Sequence, residues 1–91
     1  MSDNKNPKQL ERYFKGAANH HRIHILMLVA ERGGITTEEI STALNSHFKT
    51  ISVHTLKLVQ AGLLNKKYVG RSVAHELSPY GKLFVRFMKS F

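Results

Sequence analysis

Apolar residues recur along this chain at two different spacings, and the change from one to the other divides it into a helical part and a ribbon. Leu10, Tyr13, Phe14, Ala17 and Ala18 follow at i, i+3, i+4, i+7 and i+8, the repeat of one helical face. Asn6-Pro7 stands just before them as N-cap and first helical residue, since the Asn carboxamide accepts from a free first-turn amide and proline sacrifices no bond there. Asn19 occupies the same place before a second helix, with Ile23, Leu26, Met27 and Ala30 at the same spacing and Ile25, Leu28 and Val29 on its flanks. A helix so nearly apolar all round is expected at the centre of the fold, and Gly33-Gly34 ends it. Thr36-Thr37-Glu38-Glu39 has the form of a capping box, in which the Thr36 hydroxyl and the Glu39 carboxylate each accept from the other's amide. A short third helix follows, with Ile40, Ala43 and Leu44 as its inward face and Asn45 as a left-handed turn residue. The fourth helix runs from about His47 to Ala61, turning Ile51, Thr55 and Leu58 inward; Gly62 stops it and Leu63-Leu64 return to the core.

Beyond Asn65 the period shortens towards 2. Lys67-Tyr68-Val69, Gly70-Arg71-Ser72 and Val73-Ala74-His75-Glu76-Leu77 read as a β-hairpin around a Gly-containing loop of about three residues. Ser78-Pro79 then opens a last helix carrying Tyr80, Leu83, Phe84, Phe87 and Phe91. The expected fold is mainly α with a small β-hairpin: a winged helix-turn-helix of about five helices and a two-stranded wing, residues 7–91, behind a disordered tail, residues 1–6. In such a fold the first helix of the motif braces the second, whose outer face is free to enter a DNA major groove.

Charge sharpens this reading. Six cations against five acids give residues 1–45 a net +1, whereas eight against one give residues 46–91 a net +7, so the total of +8 is local. Such a patch attracts a polyanion, because each Lys or Arg that neutralises a phosphate releases condensed counterions. With Ile51, Thr55 and Leu58 turned in, the fourth helix presents Lys49, Val53, Leu56 and Gln60, flanked by Thr50, Ser52 and Lys57. Lys49 and Lys57 suit phosphate or guanine; Thr50, Ser52 and Gln60 suit base edges or phosphate; Val53 suits a thymine methyl. Lys66, Lys67 and Arg71 would set the wing against the backbone or the minor groove.

At 91 residues the chain is one domain with one modest core, and it has no room for an enzyme core plus a cofactor domain. No nucleophile, acid–base pair or phosphate loop suggests catalysis, and no cofactor is implied. Cysteine is absent, which removes disulfides and thiolate metal sites. The polar start and the lack of a long apolar run lead us to expect a cytoplasmic protein without a membrane partner.

The chain resembles the ArsR-type winged-helix repressors from about Leu10 to Leu77. The residues that carry the resemblance are Asn19-His20-His21-Arg22-Ile23-His24-Ile25-Leu26 at the second helix and Thr50-Ile51-Ser52-Val53-His54 in the recognition helix. Ala61-Gly62-Leu63-Leu64 after that helix and Gly70-Arg71-Ser72-Val73 at the wing tip also match. The resemblance implies a homodimer, paired through its first and last helices, that binds a palindromic operator and is often released by a metal or other signal. The chain departs from the family in three places. Ser46 replaces an apolar turn residue, with Phe48 offered as the substitute plug. Leu56 is a bulky apolar residue where a base reader is usually polar. Finally, the family's metal-sensing residues have no counterparts here, since residues 80–91 contain no His, Asp or Glu.

His20 and His24 share a helical face at i, i+4 but lack an acidic or thiolate partner, so no metal site is expected; His54 is read as packed, and His75 as lacking any catalytic partner. A domain of this size cannot bury every large apolar side chain of the terminal helices. Leu10, Tyr13, Phe14, Tyr80, Leu83, Phe84, Phe87 and Phe91 are therefore expected to form a dimer interface. The expected partners are double-stranded DNA and a second copy of the chain, with the effector unidentified. The competing reading is a winged-helix protein-interaction module, suggested by Val53 and Leu56 on the outer face.

Overall fold

A computed structural model describes residues 4–91; the part of the expected tail at residues 1–3 lies outside them. The order is α1 (Pro7–Ala17), α2 (His20–Glu31), β1 (Ile35–Thr36), α3 (Thr37–Leu44), α4 (Phe48–Gln60), β2 (Leu64–Val69), β3 (Ser72–Leu77) and α5 (Pro79–Lys89). Four helices start where local side-chain chemistry places them. Asn6 and Gln9 cap each other's amides at 2.8 and 2.9 Å. The Asn19 side chain accepts from His21 and Arg22. Thr36 and Glu39 form the reciprocal box, and the Ser78 hydroxyl accepts from the Gly81 amide at 2.9 Å. Asn4 to Asn6 lie outside regular secondary structure, yet the Lys5 ammonium sits 4.8 Å from the Tyr80 ring centre.

The core is assembled from Ile25, Leu26 and Val29 of α2, Ile40 of α3, Ile51 and Leu58 of α4, and Leu63-Leu64 behind α4. Full burial of each large aliphatic side chain contributes about 1.5–3 kcal/mol. Helix α2 is central, as its composition predicts, but its buried face is rotated from the expected one, keeping Leu26 and, in part, Ala30. Ile25, Leu26 and Val29 point inward while Ile23 and Met27 are exposed. A helix apolar around most of its circumference defines no azimuth of its own, so its neighbours decide. In α3, Thr37 and Ile40 are buried and Leu44 is half-buried, whereas Ala43 is exposed, contrary to expectation.

The turn between α3 and α4 is held by polar groups. Asn45 takes the left-handed conformation at φ 50°. The Ser46 amide donates to the Ser41 carbonyl at 3.0 Å, the Ser46 hydroxyl donates to the Leu44 carbonyl at 3.2 Å, and the Ser41 hydroxyl donates to the Ser46 carbonyl. These bonds replace the apolar plug, and Phe48, expected to supply it, is 49% exposed.

The ribbon has three strands rather than two. β1 pairs with β3 through Ile35↔His75 and Thr36↔Ala74, giving the antiparallel order β1-β3-β2. A strand of two residues is too short to show a period, which is why it escapes a reading of spacing. The hairpin turn is the pair Gly70-Arg71, tighter than the expected loop. Gly70, at φ +62°, takes the first central position, where the fit to the strands' twist requires positive φ.

Candidate nucleic-acid interface

Helix α4 is anchored by Ile51, Thr55 and Leu58, all buried, so its remaining circumference is available. Lys49, Thr50, Val53, Leu56, Lys57 and Gln60 are exposed and Ser52 is half-buried. These residues do not form one face. Ser52, Leu56 and Val59 line a cleft of about 160 Å³ shared with Lys66, Val73 and His75 of the ribbon. Lys57 and Gln60 lie on the opposite flank, in a groove with Arg12, Lys15 and Gly16 of α1 and Arg22 of α2. Lys49 and Val53 remain on the outward crest.

The wing's cations are also divided. In β2, Lys66 pairs across the ladder with His75 and lines the α4 cleft, whereas Lys67, one residue on, projects from the other face of the ribbon. Arg71 is exposed at the tip. Tyr68, which hydrophobic spacing does not single out, is 68% exposed on the Lys66 face, and the Lys66 ammonium lies 5.6 Å from its ring centre. A large aromatic on an edge strand beside a lysine is the signal that could have found it.

His75 joins the ribbon to the helix-turn-helix. It is 2% exposed, its Nε2 lies 3.0 Å from the Thr37 hydroxyl at the start of α3, and its backbone carbonyl accepts from Gly34 at 2.9 Å. Its Nδ1 is buried without a hydrogen-bond partner. Burial, and then the charge of Lys66, push its pKa below the ordinary imidazole range. His54 is half-buried and stacks on His21 at 5.4 Å; its pKa is lowered by burial, then by Arg22 and the other cations of that side. With both values depressed in the folded chain, the unfolded chain binds more protons as pH falls below about 6.5. The stabilisation that neutral His75 supplies is complete above that pH and is lost as pH falls through its folded pKa. Melting followed by circular dichroism should therefore show the wild type losing more stability than His75→Gln between neutral and mildly acidic pH. Equal losses would remove His75 as the cause.

His20 lies against His21, ring centres 4.1 Å apart, and both residues are exposed with His24. Among the described residues no group of three or more His, Cys, Asp or Glu is placed to hold a metal ion. No helix among them is long and apolar enough to cross a membrane.

Between them α1 and α5 leave a largely apolar groove of about 360 Å³ lined by Leu10, Phe14, Leu83, Phe84 and Phe87, with Tyr13 and Tyr80 and, from the segment before α1, Asn4 and Lys5. Phe14, Leu83 and Phe87 are about half exposed, Phe91 almost wholly so, and Phe84 is half-buried with its ring 5.1 Å from that of Phe14. Tyr13, expected on this outer surface, is instead 7% exposed, with its ring 5.0 Å from Tyr80 and against Gly62, so it belongs to the protomer's own core.

No protein-family model matches the chain. It is 34% identical over 67 residues to the arsenical resistance operon repressor of Escherichia coli, a match that covers 74% of this chain and 57% of that repressor's length. Among solved structures it superposes on the homodimeric winged helix-turn-helix DNA-binding domain Mb0332 of Mycobacterium bovis, a possible ArsR-family transcriptional regulator. That match has a TM-score of 0.81 and 26% identity, covering 99% of this chain and 89% of that one. HlyU of Vibrio cholerae shares the fold with a TM-score of 0.83 at 24% identity, covering 93% and 92% of the two chains. With the capped α2, the tight α3–α4 turn, the Gly-Arg wing and these likenesses together, the chain has the winged helix-turn-helix fold and is similar in sequence and structure to the ArsR-type regulators.

Proposed function

We propose that this chain is a sequence-specific DNA-binding transcriptional regulator, a homodimeric repressor that reads the major groove with α4 and rests its wing on the backbone or the minor groove. The observation that carries the reading is the open crest of α4, with Lys49, Thr50 and Val53 free of intramolecular cover and Lys66 and Arg71 beside or beyond it. Five of the eight cations of residues 46–91, Lys49, Lys57, Lys66, Lys67 and Arg71, lie on α4 and the ribbon and favour a polyanion there, and the apolar α1–α5 groove supports pairing of two copies. In the dimer two α4 helices would stand about one turn of DNA apart, matching a palindrome.

Anisotropy titration against a duplex from the gene's own promoter at several salt concentrations tests this. Binding should weaken steeply with salt, and Lys49→Ala or Arg71→Ala should each reduce the slope by about one while leaving the melting temperature nearly unchanged. The exposed Val53 and Leu56 favour a second reading, a protein-interaction module. That reading prevails if promoter binding shows no salt dependence while Leu56→Lys abolishes capture of a protein partner.

A further inference from the structure

The groove on the α1 flank of α4 is the second cationic surface of the molecule. It is lined by Arg12, Lys15, Gly16, Arg22, Lys57, Gln60 and Ala61, with no carboxylate among them. Its closeness follows from Gly16: a Cβ there would overlap the Ala61 methyl, so only glycine lets α1 lie against the end of α4. Arg12 of α1 and Lys57 of α4, far apart in the sequence, are thereby brought to one groove. Lys15 is neutralised by Glu11 at 3.2 Å, the one ion pair among the described residues, which leaves Arg12, Arg22 and Lys57 without a compensating acid. Arg22 is half-buried, and its Nε is enclosed without a hydrogen-bond partner. His54, whose pKa is lowered first by burial and then by Arg22, His21 and Lys57, lies near two of these cations. Gathering cations in this way costs free energy in the free protein, and the cost is relieved when a polyanion enters.

We propose that Arg12, Arg22 and Lys57 form a phosphate clamp that holds the DNA backbone on the side of α4 opposite the wing. The inference rests on the DNA-binding reading and extends it to α1 and α2, neither of which belongs to the helix-turn-helix pair. The two flanks of α1 locate the clamp. Leu10 and Phe14 face the apolar groove with α5, while Arg12 and Gly16 face α4. In a dimer paired through α1 and α5, the basic grooves of the two protomers fall beside the twofold axis. The wings contact the outer ends of the site, and the clamps hold the phosphates between the half-sites. Lys57 and Gln60 then act in backbone positioning, and base reading is left to the N-terminal half of α4.

The test uses the full chain and two probes, the promoter duplex and a duplex of arbitrary sequence. Arg12→Gln, at an exposed position, should lower the salt slope by about one on both, and Arg12→Gln with Arg22→Gln by about two, with the promoter dissociation constant rising roughly tenfold or more. Arg32→Gln removes the same charge outside the groove and should leave the slope unchanged. On the promoter, the hydroxyl-radical footprint of Arg12→Gln should lose protection at its centre and keep it at its ends. If the half-buried Arg22 variant fails to fold, Arg12→Gln alone decides. A slope and central footprint equal to wild type in Arg12→Gln overturn the clamp while Lys49 and Arg71 still govern binding. A wild type without salt-dependent binding overturns the DNA-binding reading, and the clamp with it.

Discussion

Phe87→Glu is expected to convert the proposed dimer into monomers and to weaken promoter binding by about a hundredfold or more. Phe87 is 50% exposed on the wall of the α1–α5 groove, its ring 5.1 Å from that of Phe91 and turned nearly perpendicular to it. In the protomer it covers little of the core, so a carboxylate there stays hydrated and the monomer keeps its fold. At a twofold interface the same substitution acts twice, bringing two like charges into a largely apolar surface in which each protomer offers one cation, Lys5. Affinity falls because linked subunits find their second half-site intramolecularly, an advantage of about 10²–10⁴ that monomers forgo. Light scattering after size exclusion and anisotropy on the same samples read both effects. A Phe87→Glu chain that stays dimeric would remove this face from the interface. Tyr13→Ala should behave oppositely: its ring lies within the protomer, so stability falls first.

Gly81→Ala should be the most damaging small substitution in the chain. Gly81 is buried in the first turn of α5, and a Cβ there would overlap the carbonyl oxygen of Leu63. That oxygen accepts from the Ser78 amide at 3.1 Å, and the Ser78 hydroxyl donates to the Gly62 carbonyl at 2.6 Å. Backbone cannot step aside as a side chain can. The start of α5 must therefore lift, and both bonds and the Tyr13–Tyr80 contact loosen together. Overpacking and two lost hydrogen bonds sum to about 3–5 kcal/mol. At roughly 4–8 °C per kcal/mol for a domain of this size, the melting temperature should fall by more than about 12 °C. Gly70→Ala is the comparison: a Cβ at the wing tip meets nothing within 4 Å, and only the positive φ of 62° opposes it, at about 1 kcal/mol. Gly81 has no positive φ of its own, so a loss no larger than that of Gly70→Ala would show that the Leu63 collision is relieved at little cost.

The features legible in the amino-acid order are those written within a few residues. Asn6, Asn19, Thr36 with Glu39, and Ser78 each satisfy amides two or three positions away, so the helix starts can be read directly. Glycine at 70 and asparagine at 45 announce backbone conformations that few residues adopt. The inward positions of α4 are equally plain, because a helix with Lys49, Lys57 and Gln60 against Ile51 and Leu58 has one possible inside. The helix-turn-helix and wing, and hence the expectation of DNA, follow from these alone.

What the residues could not settle is how elements meet. Spacing shows that α2 is a helix but not which side is buried, since Ile23 and Met27 are as apolar as Ile25 and Val29; packing against α4, α5 and the ribbon made that choice. The candidate readers look like one surface in sequence, yet Leu56 and Ser52 border the wing cleft and Lys57 and Gln60 border α1. Likewise β1, the enclosure of His75 against Thr37, and the meeting of Arg12, Arg22 and Lys57 depend on contacts between distant segments. A chain's own order records periodicity and capping because these act over one or two turns. The azimuth of a helix and the company its side chains keep are collective properties of the packed core, and only the tertiary structure decided them.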